Sequence, residues 1–190
     1  GHGTHLAATI AEATNNRIGL TGLAYGASVM PIRVLDSQLH GSATTLARGI
    51  HYAWRHGADV INLSLTGPDG RLLRTLLDAA LERGSVIVTA YDSSKPGGGF
   101  PASIPGVIAV SDHSLAPSSA RVYIAPGRDV PTTQPGGRWF LVNGSSYAAA
   151  HVSGLVALMR QRRHAPASLA FVSDRPDSGR INACATLLRV

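Results

Sequence analysis

Short, continuously apolar runs alternate along the chain with longer stretches of helical periodicity, and this alternation most constrains the fold. Strands that are buried on both faces are apolar throughout, and parallel strands need crossover helices between them. The apolar runs lie at 28–35, 60–65, 85–90 and 107–110, and the helical stretches lie at 4–12, 43–56, 72–83 and 146–163. The pattern predicts an α/β fold in which a mainly parallel sheet lies between layers of helices.

Composition excludes several classes of protein. Of the 190 residues, 44% are apolar and 15% are charged, which excludes a disordered charged tail. No apolar run approaches the roughly 18 residues of a membrane span, so we expect no membrane insertion. The single cysteine, Cys184, excludes a disulfide framework and a cysteine-based zinc site.

The net charge of +6 is a feature that nucleic-acid-binding proteins share. The basic residues are nevertheless spread along the chain, and only Arg160, Arg162 and Arg163 form a cluster. Aromatic residues for base stacking make up only 5% of the chain. We therefore expect no nucleic-acid partner, although a nucleic-acid binder stays a rival hypothesis that rests on charge alone.

Ser146 is the candidate nucleophile. It follows a glycine turn and opens a helix of small residues, so free backbone N–H groups lie near its hydroxyl and suit a developing oxyanion. The alternative is that Ser146 caps the helix, because serine is a preferred N-cap residue.

His2 and His5 are the candidate general bases, because a serine hydroxyl becomes a good nucleophile only when a histidine accepts its proton. Their spacing of three residues also suits a zinc pair. No cysteine or nearby carboxylate completes a metal site, and a structural role for either histidine also remains open.

Three motifs in fixed order carry a resemblance to a known family: GHGTHLAATI at 1–10, DVINLSL at 59–65 and NGSSYAAAHVSG at 143–154. Together they resemble the subtilisin-like serine proteases (subtilases, peptidase family S8). The resemblance implies a subtilisin-like three-layer α/β fold and a serine endopeptidase that works through an acyl-enzyme. It assigns His2 as general base and Ser146 as nucleophile, and it places His5 and His151 on structural positions.

The resemblance also implies a groove for an extended polypeptide substrate. Ser64, Leu65 and Thr66 match one strand of this groove, and Gly41 lies in the segment that matches the opposite edge. Gly99 falls near the floor of the primary specificity pocket. A secreted, monomeric enzyme without an organic cofactor is expected.

The chain departs from the family at the catalytic acid, which belongs to a strand before the histidine motif. Only Gly1 precedes His2, so we expect a single peptidase domain over residues 1–190 whose N-terminal part, including one or more strands and the Asp, is missing. We expect this chain alone to be a weak or inactive protease of marginal stability. The alternative is a catalytically inactive remnant or a peptide-binding pseudoprotease.

Asp92 is the second departure, because the family usually has an oxyanion-stabilising Asn there. An ionised carboxylate accepts hydrogen bonds and would repel an oxyanion, although a protonated Asp92 could donate one. A role as a simple turn residue is the other alternative. Tyr91 replaces the usual Gly and is expected to narrow the pocket, whereas Ala150 in place of Pro should be tolerated.

The loop at 15–20 resembles the family's calcium-binding loop. Calcium is bound by six to eight oxygens, and Asn16 with nearby carbonyls supplies some of these. The family's acidic partner lies upstream, and Arg17 adds positive charge, so Asn16 is a weak calcium candidate.

Overall fold

The computed structural model describes residues 1–113, 122–162, 169–175 and 178–189. The helices in this part of the chain are α1 (His2–Ala11), α2 (Ala43–Arg55), α3 (Arg71–Glu82), α4 (Ser145–Arg162) and α5 (Ala183–Leu188), with a 3-10 turn at Pro96–Gly98. The strands are β1 (Val60–Leu63), β2 (Val86–Ala90), β3 (Ile108–Ser111), β4 (Val122–Ile124), β5 (Val130–Thr133) and β6 (Trp139–Val142).

The predicted α/β architecture is confirmed. Strands β1 to β4 form a parallel sheet in that order, with Val60 opposite Val86 and Val88 opposite Ile108. Because side chains alternate across a strand, each strand contributes to both faces of the sheet. Ile61 and Ile87 belong to the core shared with α2 and α3, whereas Val88 and Val110 pack with α4.

The four long helices predicted from periodicity are all present, with ends that differ by one or two residues. The α2 helix begins after Ser42, whose hydroxyl oxygen accepts a 3.0 Å hydrogen bond from the Thr45 N–H. Arg163, the predicted last residue of α4, lies outside the described residues.

The predicted strand at 28–35 is wrong. Ile32 and Val34 do pack against the α2–α3 core, but Val29 and Met30 are exposed and the segment joins no described sheet. Within the described residues β1 pairs only with β2, so the apolar side chains of 28–35 find a core while the backbone finds no strand partner.

The sequence interpretation missed α5 and the antiparallel β5–β6 hairpin. The hairpin pairs Val130 with Val142 and turns through Gly136 and Gly137, both at positive φ. Among the described residues, no helix combines the length and the apolar character that crossing a bilayer requires.

Candidate active site

The N-terminal part of α4 is bound to the loop between β4 and β5 by hydrogen bonds. The Gly144 N–H donates to the Gly127 carbonyl at 2.7 Å, and His151 Nδ1 lies 2.8 Å from the Pro126 carbonyl oxygen. Gly144 has a φ of +135°, a conformation that favours glycine. A Cβ on Gly127 would lie 2.8 Å from the Gly144 carbonyl oxygen, so the two backbones approach closely.

Ser146 is the second residue of α4 and lies inside the helix, not before it. This position does not support the N-cap alternative, because a cap residue precedes the first helical residue. The partly buried Ser146 stands where the unpaired N–H groups of a helix start are concentrated.

A hydrogen-bonded chain of polar side chains connects β1 to the same helix. The Ser64 hydroxyl shares its single hydrogen between Asn62 Oδ1 at 2.8 Å and the Ser146 carbonyl oxygen at 3.1 Å. The Asn62 amide in turn donates to the Ser153 hydroxyl oxygen at 2.9 Å. The segment at 64–66 therefore starts directly beside Ser146, as the predicted substrate groove requires.

Helix α1 brings His2 to the start of α4. The His2 ring packs edge-on against the ring of Tyr147, with 6.0 Å between centroids, and Tyr147 is the residue after Ser146. The α1 helix is also bound to β5, because the Thr132 hydroxyl donates a hydrogen bond to the His5 carbonyl at 2.8 Å.

Gly154 allows α4 to pack closely against the α1 region. A Cβ on Gly154 would lie 3.1 Å from the Leu23 Cβ and 3.5 Å from the Ile10 carbonyl oxygen. The absence of a side chain at Gly154 therefore permits this close approach.

The His2 imidazole is biased toward its neutral form. Burial lowers the pKa of His2 below its ordinary value of 6.5, and the neighbouring His5 lowers this pKa further. A neutral imidazole is the form that can accept a proton from a hydroxyl.

His5 lies among rings, with the Tyr147 and Phe140 centroids each 6.4 Å from its own. Its two ring nitrogens are buried and have no hydrogen-bond partner among the described residues. No group of three or more His, Cys, Asp or Glu side chains in the described part of the chain is arranged to hold a metal. The zinc alternative for His2 and His5 therefore gains no support.

Asp92 is an ionised turn residue. Its Oδ1 accepts hydrogen bonds from the Ser94 hydroxyl at 2.6 Å and from the Ser94 N–H at 3.0 Å. These bonds, with Lys95 nearby, hold the pKa of the Asp92 carboxyl below its ordinary value. The protonated form considered from the sequence is disfavoured, because the surroundings of Asp92 stabilise its charged form.

The residues predicted to line the primary pocket come together around Gly99. A Cβ on Gly99 would lie 3.6 Å from Thr66 Cγ2, and Gly67 donates its N–H to the Phe100 carbonyl at 3.0 Å. The Tyr91 ring lies against Gly98, where a Cβ would meet it at 2.2 Å.

Leu65 is partly buried in the α2–α3 core, on the segment between Ser64 and Thr66. Gly41 lies against a different part of the chain, since its Cβ would be 2.6 Å from the Val34 carbonyl oxygen. No described contact brings Gly41 to Ser146, so its place in the groove stays a prediction.

The loop around Asn16 forms an incomplete set of oxygen ligands. Asn16 Oδ1 accepts a hydrogen bond from the Ile18 N–H at 3.1 Å. The nearby Glu12 carboxylate already accepts from the Thr133 hydroxyl at 2.6 Å and from the Leu20 N–H at 3.4 Å. Since calcium needs six to eight oxygens, these donors do not make a complete calcium site, and calcium binding at Asn16 stays a prediction.

Sequence reasoning missed the residues that position the site, namely Asn62, Ser153 and Thr132. Asn62 and Ser153 are 91 positions apart, so no local pattern pairs them. The sequence feature that could have identified them is a polar residue among apolar ones. Asn62 interrupts an apolar strand, and Ser153 lies in an apolar helix. In the structure Ser153 is 2% exposed.

Comparison with known proteins agrees with this fold and identifies the family. Residues 1–170 match the model of the subtilase family. Subtilisin E of Bacillus subtilis is 39% identical over 191 residues, covering 93% of this chain and 50% of that protein. The subtilisin of Bacillus pumilus is 38% identical over 192 residues, covering 93% of this chain and 69% of that protein.

Solved structures show the same likeness. A protease from Pseudoalteromonas arctica superposes with a TM-score of 0.83 at 27% identity, covering 99% of this chain and 70% of that one. Fervidolysin from Fervidobacterium pennivorans, described as a keratinolytic enzyme related to subtilisin, gives 0.82 at 27% identity and covers 98% of this chain and 36% of that one.

The fold and the site define a protein of the subtilisin-like α/β class. The chain belongs to the subtilase family. It spans about half the length of several of the curated relatives it matches.

Proposed function

We propose that this chain contributes the nucleophile and the general base of a serine endopeptidase. Ser146 Oγ attacks the carbonyl carbon of a peptide bond while His2 accepts the hydroxyl proton. His2 then gives the proton to the leaving amine, and water hydrolyses the acyl-enzyme by the reverse sequence.

One observation carries the proposal: the first turns of α1 and α4 meet, and the His2 ring packs on Tyr147, directly after Ser146. Two further features support it. The lowered pKa of His2 favours the proton-accepting form, and the Ser64 hydroxyl ties the segment at 64–66 to the Ser146 carbonyl.

The substrate proposed is an extended polypeptide. The segment at 64–66 lies beyond the end of β1, where a peptide backbone can pair with it as an added strand. Export of the natural protein, its monomeric state and the absence of a nucleic-acid partner stay predictions.

The test is labelling of the full chain with a serine-reactive fluorophosphonate. We expect slow labelling that is lost in Ser146→Ala and retained in Ser145→Ala, a matched control one residue away. We expect His2→Ala to lower the labelling rate by several orders of magnitude, since a triad behaves as a unit.

Circular dichroism of each variant separates loss of reactivity from loss of fold. A folded chain that shows no labelling, or labels equally in Ser146→Ala, would contradict the proposal. Peptide binding by such a chain would identify the peptide-binding pseudoprotease instead.

A further inference from the structure

Lys95 is the only lysine of the chain, among 17 basic residues. It lies on the loop after β2, next to the residues predicted to form the primary pocket. Its Nζ donates to the Thr66 hydroxyl oxygen at 3.1 Å and lies 3.6 Å from Asp92 Oδ2. The ammonium group therefore bridges two segments of the proposed substrate site.

The aliphatic part of Lys95 covers the predicted pocket floor. A Cβ added to Gly99 would lie 3.0 Å from Lys95 Cδ and 3.6 Å from Thr66 Cγ2. Lys95 and Thr66 therefore both lie in contact with the Gly99 backbone, and the ammonium group is bound beside it. A side chain that reaches Gly99 would have to move the Lys95 stem aside and would then lie next to its ammonium group.

The distance from Ser146 to this charge suits a substrate side chain. Ser64 contacts the Ser146 carbonyl, and Thr66 follows two residues later along the chain. Two residues of chain span at most about 7 Å. The Lys95 ammonium thus lies within reach of the side chain next to a peptide bond held at Ser146.

A purely structural role explains Lys95 poorly. The side chains of Lys95 and Asp92 are 48% and 29% exposed, and exposed ion pairs of this kind contribute little to stability. The Asp92 carboxylate is already bound twice by Ser94. An ammonium has three donors, so one remains for a ligand after Thr66 and Asp92.

We propose that Lys95 makes this chain select polypeptides with an acidic residue on the acyl side of the scissile bond. This inference rests on the proposed function, because it concerns the same site. The substrate carboxylate would receive a charge-assisted hydrogen bond from Lys95 Nζ. Asp92 Oδ2, 3.6 Å from the same ammonium, partly offsets its charge.

The test compares two peptide substrates that differ only in the residue on the acyl side of the scissile bond, which is Glu in one and Gln in the other. Glu and Gln have nearly the same shape, so their kcat/KM ratio measures the response to charge. We expect a ratio of about tenfold or more in favour of Glu at low salt. Lys95→Met keeps the aliphatic stem and should bring the ratio close to one, whereas Lys95→Arg should keep a preference for Glu.

Failure of this inference can be told apart from failure of the proposed function. Turnover with no preference for Glu, or with a preference for Gln, overturns the role of Lys95 and leaves the protease intact. If neither peptide is cleaved, the same comparison is made by calorimetry, using folded Ser146→Ala and product peptides that end in Glu or Gln. Equal binding of the two products, or undetectable binding of both, overturns the inference in that case.

Discussion

At the scale of single residues, we expect Asp92 to limit how well the proposed site stabilises an oxyanion, because it stands where the family usually has an oxyanion-stabilising Asn. Its carboxylate is ionised, and both of its oxygens accept hydrogen bonds or face a cation. An asparagine at this position would keep an acceptor for Ser94 and would add an N–H donor. The same turn would then present a donor where a negative charge now stands.

We therefore expect Asp92→Asn to raise the rate of fluorophosphonate labelling, or of peptide hydrolysis, by about tenfold to a hundredfold. The reason is that the side-chain donor of the oxyanion hole in subtilisin, a member of this family, is worth about 10²–10³ in turnover. Asp69→Asn, at an exposed carboxylate paired with Arg74, is the matched control. An unchanged or lower rate in folded Asp92→Asn would show that Asp92 does not face the oxyanion.

The pKa of His2 determines the acid limit of reactivity. The neutral imidazole is the active base, and burial together with the charge of His5 lowers the pKa of His2 below 6.5. Reactivity should therefore persist below pH 6.5 and disappear only as pH falls through the lowered pKa. We expect a labelling-rate profile with its midpoint below 6.5.

His5→Gln removes one cause of the lowered pKa, so the midpoint in this variant should move upward. A midpoint above 6.5 in the unmodified chain would contradict this account of the base.

At the scale of secondary-structure elements, the contact between α1 and α4 holds His2 near Ser146. We expect Gly154→Val to destabilise the chain by about 1–3 kcal/mol, because the added methyl groups would press on Leu23 and the Ile10 carbonyl. The labelling rate should fall as well, since α1 carries His2. Urea unfolding measures the first effect.

Gly3→Ala is the control for this prediction. Gly3 lies within α1, and an added Cβ there meets nothing within 4 Å. Alanine should stabilise the helix by up to about 1 kcal/mol. Equal stability of Gly154→Val and the unmodified chain would show that the α1–α4 contact adapts easily.

The elements also show what the sequence could predict. Helices α2 and α3 have clear helical apolar periodicity, which reflects burial of one face. Strands β1 to β3 are mainly apolar, which reflects burial of both faces. The segment at 28–35 has similar side chains, but a strand also needs a backbone partner, and periodicity does not report one. Strand β6 was missed because Trp139, Phe140 and Leu141 are all exposed and show no alternation of burial.

For the site, the motifs indicated Ser146 and His2, and the structure brings their helices together. The positioning network could not be predicted in the same way, because three of its hydrogen bonds, from Ser64 to Ser146, from Asn62 to Ser153 and from Thr132 to His5, join segments that are far apart in sequence. The bond from Thr132 to the His5 carbonyl spans 127 positions.

At the scale of the whole molecule, the β5–β6 hairpin carries a large exposed apolar surface. Trp139, Phe140 and Leu141 are 63%, 57% and 56% exposed. Because side chains alternate along a strand, Trp139 and Leu141 lie on the same face of β6. Exposed apolar side chains that are close together favour association. We expect self-association at high protein concentration, measured by sedimentation velocity, to fall in the double variant Trp139→Thr/Leu141→Thr.

Leu188→Thr provides the comparison, because Leu188 is 77% exposed but lies on α5, outside the hairpin. Equal association in the double variant and in the unmodified chain would assign any association to another surface.

The single lysine of the chain also gives the molecule a built-in spectroscopic reporter. If the protein is grown with lysine labelled at Nζ alone, the one lysine resonance in the spectrum is that of Lys95. Because its ammonium bridges Thr66 and Asp92, the chemical shift of this resonance should respond to any ligand that displaces either contact. Occupancy of the pocket could then be followed by NMR in the resting protein, without a cleavable substrate.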